Sequence, residues 1–136
     1  MRLSRSDVAW LRLFGATAAI LLSATALAAE FPFERELLLE AKPLPGSKRV
    51  PMLEITRDGR AIIDLWCRSG EGRVKIEDDM IEFTLGAMRE EGCTPERMQR
   101  DEALAAALEK VSDWSMEDDV LVLIGPTMLR YTLSSH

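Results

Sequence analysis

The stretch MLEITRDGRAIIDLWC, residues 52–67, decides the fold. Leu53 and Ile55 alternate with Glu54 and Thr56, the period-two pattern of a strand with one buried face. Asp58-Gly59 supplies the turn, because glycine accepts the positive φ that a tight hairpin needs. On the return, Ala61, Ile63, Leu65 and Cys67 share one face, while Ile62, Asp64 and Trp66 share the other. The segment predicts a β-hairpin that runs into a cysteine.

The same pattern continues downstream. In GRVKIEDDMIEFTLG (72–86), Val74 and Ile76 alternate with Arg73 and Lys75. Glu77-Asp78-Asp79 makes a polar turn, and Ile81, Phe83 and Leu85 share a face opposite Glu82 and Thr84. Gly70 and Gly72 flank Glu71 and read as a turn; a phosphate loop would not place a carboxylate there. Upstream, RELLLEA (35–41) has strand length, and KPLPGSKRVP (42–51) is a loop rich in proline.

The period changes at Thr94. Thr94 suits an N-cap, Pro95 the first helical position and Glu96 the positive end of the helix dipole. Leu104, Ala107, Leu108 and Val111 then recur at helical spacing, which predicts a helix over 95–112 ended by Trp114. VLVLIG (120–125) and TMLRYTL (127–133), separated by Gly125-Pro126, predict a last hairpin. Strand, hairpin, hairpin, helix, hairpin is an α+β order: a curved antiparallel β-sheet with one main helix packed on it.

The N-terminus reads as an export signal. Arg2, Arg5 and Arg12 precede a charge-free apolar stretch from Leu13 to Leu27, and Ala26-Leu27-Ala28 has the small-x-small form of a cleavage site. The expected organisation is a signal peptide at 1–28, cut after Ala28, and one domain at 29–136. The apolar stretch is short for a membrane span, and no cysteine lies near the cut to form a lipobox. The expected location is the periplasm or the outside, with no membrane span after cleavage. Removing the signal takes away three arginines and Asp7, which moves the formal net charge from −6 to −8. That balance disfavours nucleic acid as a partner, since phosphates need basic surface.

Cys67 and Cys93 are the two cysteines of the chain. In an oxidising compartment they would pair, and closing that loop would contribute about 3–4 kcal/mol in the chain-entropy model. Two free thiols are the alternative. Redox chemistry would want C-x-x-C, and a zinc site would want four ligands. The single histidine, His136, is the last residue, so a His-assisted nucleophile is not expected. Carboxylates cluster in predicted turns, at Glu77 to Asp79, Glu90-Glu91 and Glu117 to Asp119, where charge is simply solvated. No catalytic, cofactor or metal residue is therefore assigned. Trp66 either packs under the helix or marks an exposed apolar surface. Met80, Met88, Met98, Met116 and Met128 either fill the core or line an adaptable cavity.

The ordered series RDGRAIIDLWC, GRVKIEDDMIEFTLG, EGCTPERMQRDEALAAALEKVSDW, EDDVLVLIG and MLRYTLS resembles the META domain family, which includes HslJ-like heat-shock and envelope proteins. The resemblance covers essentially all of 29–136. Trp66 and Arg68 stand where that family often has Gly and Asn around the first cysteine, and Asp101 stands where it has a glutamate early in the helix. The resemblance implies a non-enzymatic envelope protein tied to stress or drug tolerance, acting through an envelope protein partner. The alternative is a carrier of an apolar small molecule, a lipid or hydrophobic drug, in a sheet–helix cleft lined by Trp66, Phe83, Leu104 and Leu108.

Overall fold

The computed structural model describes residues 19–22, 29–90 and 92–135. Most of the expected signal peptide, Glu91 and His136 lie outside the described residues. Eight strands appear in chain order: β1 (Leu37–Leu39), β2 (Met52–Ile55), β3 (Arg60–Asp64), β4 (Ser69–Glu77), β5 (Met80–Arg89), β6 (Asp113–Glu117), β7 (Val120–Ile124) and β8 (Leu129–Leu133). One helix, α1 (Pro95–Glu109), connects β5 to β6. Each strand pairs antiparallel with its chain neighbours, and β1 pairs with β8, so the expected curved sheet closes into a barrel.

Period-two alternation fills the barrel interior. Leu53 and Ile55 on β2, Ala61 and Ile63 on β3, Ile81 and Phe83 on β5, Leu121 and Leu123 on β7, and Tyr131 on β8 are all buried in one cluster. The hairpin from 52 forms as expected. Thr56, Asp58 and Gly59 make its turn, with Gly59 at φ +82°, and Ala61 pairs with Ile55. Closure pairs most of the sheet edge that an open antiparallel sheet would expose, with one residue pair joining β5 to β6.

Three expectations are corrected. Gly70 and Gly72 belong to β4 rather than to a turn. They are small because the wall bends sharply there: a Cβ on Gly72 would lie 2.7 Å from the Thr84 carbonyl oxygen, and the register shifts between Gly70 and Gly72. Such bulges and glycines let a barrel turn its corners. The helix stops at Glu109, and Trp114 lies inside a strand, β6, that the helical reading absorbed. Its cross-strand partner is Leu123 of β7, and a pair of this kind outweighs helix propensity. Trp66 falls just after β3 in a bend, so it occupies neither face of a strand.

Tyr131 is the only tyrosine and is 1% exposed. Burial pushes its phenol well above the ordinary range. The neutral phenol therefore supports folding below pH about 10, and that support is lost as pH rises further. In an alkaline titration, tyrosinate absorbance should appear only together with loss of the folded circular-dichroism signal. A simple titration near pH 10 in the folded protein would show that Tyr131 is accessible.

Candidate functional site

The chain segment after β3 turns sharply at Trp66, Cys67 and Arg68, and three consecutive backbone N–H groups converge. Asp101, from the second turn of α1, accepts all of them. Trp66 N donates to Oδ1 at 2.7 Å, Arg68 N to Oδ2 at 2.7 Å, and Cys67 N lies 3.2 Å from each oxygen. The Arg68 side chain adds an Nε contact to Oδ2 at 3.4 Å. Asp101 is fully buried. Consecutive N–H groups in a turn form a concave anion site, and here the protein fills it with its own carboxylate. A buried charge is tolerated only when it is paired and hydrogen-bonded, and this one is both.

The disulfide sits on the same junction. Cys67 is bonded to Cys93, with Cα atoms 5.7 Å apart, a normal span for the bond. Cys93 immediately precedes the helix cap, where the Thr94 side chain accepts from Arg97 N. The β3–β4 turn is thus held to the start of α1 by a covalent bond and, two helical turns in, by the Asp101 carboxylate. Below this junction Leu104 and Leu108 on the same stripe of α1, with Val111 after it, enter the barrel core.

Chemically the arrangement is a structural clamp. Asp101 spends its acceptor positions on backbone donors and has no open side from which to take a proton from a substrate. Among the described residues no group of three or more His, Cys, Asp or Glu is placed to hold a metal ion. Glu77, Asp78, Asp79, Glu117, Asp118 and Asp119 are all exposed at hairpin ends. On the barrel exterior, Arg130 bonds Glu40 at 2.9 Å and Glu117 at 2.8 Å, and these bonds raise its affinity for its proton while holding the Glu40 carboxyl below the usual range.

Of the residues singled out from sequence, Phe83, Leu104 and Leu108 are 3%, 6% and 0% exposed and belong to the packed core. Trp66 is half-buried and packs against that core. The methionines do not gather at one cavity: Met88 and Met116 pack on the core, while Met80 and Met128 stand in solvent. Asp101 was legible in one respect, since it lies three residues before Leu104 on the apolar stripe, a place where a carboxylate is not simply solvated.

Among the described residues, an antiparallel eight-strand barrel with the helix α1 tied to the β3–β4 turn by a cystine defines the structural class. The profile of the META domain family matches residues 33–135, and the chain belongs to that family. One solved structure, described as an NMR structure of a protein, is similar with a TM-score of 0.58 over 73% of this chain and 88% of that chain. The two are 17% identical, so the similarity concerns fold alone. No curated protein matches this sequence.

Replacing Asp101 with Ala should lower the unfolding free energy by about 2–4 kcal/mol, because three part-buried N–H groups lose their acceptor and Arg68 its partner. Urea unfolding of the oxidised protein checks this through the shift of the midpoint at unchanged slope. A loss under about 1 kcal/mol would show that the carboxylate adds little to its surroundings.

Proposed function

We propose that this protein is an exported, non-enzymatic META-domain protein of the cell envelope that acts through contacts with other envelope proteins, in a role tied to stress or drug tolerance. The observation that carries the reading is the packed interior. Leu37, Leu53, Ile55, Leu65, Leu108 and Leu121 are fully buried and belong, with Tyr131, to one core cluster. A carrier needs a preformed apolar cavity, whereas a ligand placed between the sheet and α1 here would have to displace Phe83, Leu104 and Leu108. A rigid, filled barrel instead offers surface.

Export is supported from two sides. A cystine persists in oxidising compartments and is rare in reducing ones. Ile20, Leu21 and Leu22 of the apolar leader stretch are 82%, 88% and 89% exposed, so they pack on nothing in the barrel. Among the described residues no helix is long and apolar enough to cross a membrane.

Mass spectrometry on protein exported by a bacterial host tests this reading. The denatured, unreduced chain should begin at Ala29 and be two hydrogens light. Its mass under native conditions should be the same. An added mass that survives native spraying and is lost on denaturation would overturn the contact reading in favour of a carried apolar ligand.

A further inference from the structure

The barrel is not closed equally all round. Most neighbouring strands share several residue pairs, but β5 and β6 share one, Met80 with Asp113. Past it, Trp114 N donates to Asp79 O at 2.9 Å, and there the β4–β5 hairpin ends at Asp78-Asp79. Among the described residues, the rest of β6 extends beyond that turn with β7 on one side and no strand on the other. Trp114 and Met116 pair across β7 with the core residues Leu123 and Leu121, so they face the interior. They are nevertheless only half-buried, because the wall that should cover them is missing.

The result is an open depression of about 530 Å³, lined by Ala29, Asp78, Asp79, Trp114, Ser115 and Met116. Phe31 packs edge-on to Trp114 with ring centroids 5.0 Å apart. The indole is fixed in place by its N–H bond to Asp78 O at 2.8 Å. Strand alternation turns the N–H and C=O of Met116 outward along the same edge as the Trp114 N–H. The rim is acidic: Asp78 and Asp79 flank the opening, and Glu117, Asp118 and Asp119 follow on the hairpin beyond it. No lysine or arginine lines the depression, and Lys75 pairs with Glu77 at 3.6 Å and Arg130 with Glu117 at 2.8 Å.

We propose that this β6 edge is a docking site for an extended segment of a partner protein that alternates apolar and basic side chains. The segment adds a strand beside Ser115 to Glu117, sets its apolar side chains on Trp114 and Met116, and places its lysines or arginines against Asp78 and Asp79. Strand addition supplies main-chain bonds, and alternate side chains supply specificity. The acidic rim selects a basic partner and repels an acidic one. This rests on the protein-contact reading above and gives that reading a surface and a partner chemistry.

The test is an amide and indole NMR titration of the ¹⁵N-labelled exported protein with an eight-residue peptide alternating lysine and leucine. Shifts should centre on Ser115, Met116, Glu117 and the Trp114 indole, and the Met116 amide should become protected from exchange. The glutamate–leucine counterpart should bind at least about tenfold more weakly, and added salt should weaken the lysine peptide. The double variant Asp78→Asn, Asp79→Asn removes both charges and keeps a side chain that tolerates the left-handed φ of +53° at position 78; it should keep the barrel spectrum while losing about tenfold or more in affinity. Shifts confined to another face would overturn this site and leave the contact reading standing. No shifts up to about 1 mM peptide would also overturn the site. If phosphatidylglycerol micelles perturb the same residues and peptides do not, both the peptide site and the contact reading fall together.

Discussion

One buried carboxylate fixes how the helix meets the barrel. Asp101 leaves α1 on its apolar stripe and collects the N–H groups of Trp66, Cys67 and Arg68. Without an acceptor, those donors would be buried unsatisfied where the chain turns from β3 into β4. Without the donors, a charge inside the protein would be untenable. Each half of the contact makes the other possible. The cystine at Cys67 and Cys93 restricts the same two segments in the unfolded chain, so covalent and polar constraints act on one junction from both states of the folding equilibrium.

The consequences spread along α1. With Asp101 fixed, Leu104 and Leu108 are set in register over the core, and Val111 follows. The helix occupies the connection between β5 and β6, the seam where the barrel wall is thinnest. On one side of the single β5–β6 pair the helix-bearing connection covers the interior. On the other side the lead-in residue Phe31 packs edge-on to Trp114, and Trp114 and Met116 line an open depression. The same incomplete pairing thus lies beside both the helix α1 and the open depression at Trp114 and Met116.

Much of this was legible in the sequence. Alternation located β2 to β5 and β8, the apolar run before Gly125-Pro126 located β7, and Thr94-Pro95 located the helix start, because these elements carry strong local signals. β6 was not: Trp114 and Met116 do alternate with Asp113, Ser115 and Glu117, but the five residues follow almost directly on a helical run and read as its end, and pairing with β7 makes them a strand. Gly70 and Gly72 resembled a turn because glycine is usually a local signal, whereas here it answers to the close approach of β5. The clamp itself was half visible. A carboxylate on an apolar stripe is a clear anomaly, but its partners are backbone groups more than thirty residues away, and sequence does not name those.

Hydrogen exchange at the amides of Trp66, Cys67 and Arg68 tests the central claim most directly. If the Asp101 carboxylate holds them, all three should exchange only through global unfolding, as slowly as the core amides of β3 and β7. Rapid exchange of these three, with the helix and barrel amides still protected, would show that the turn opens on its own and that the clamp does not set the helix on the barrel.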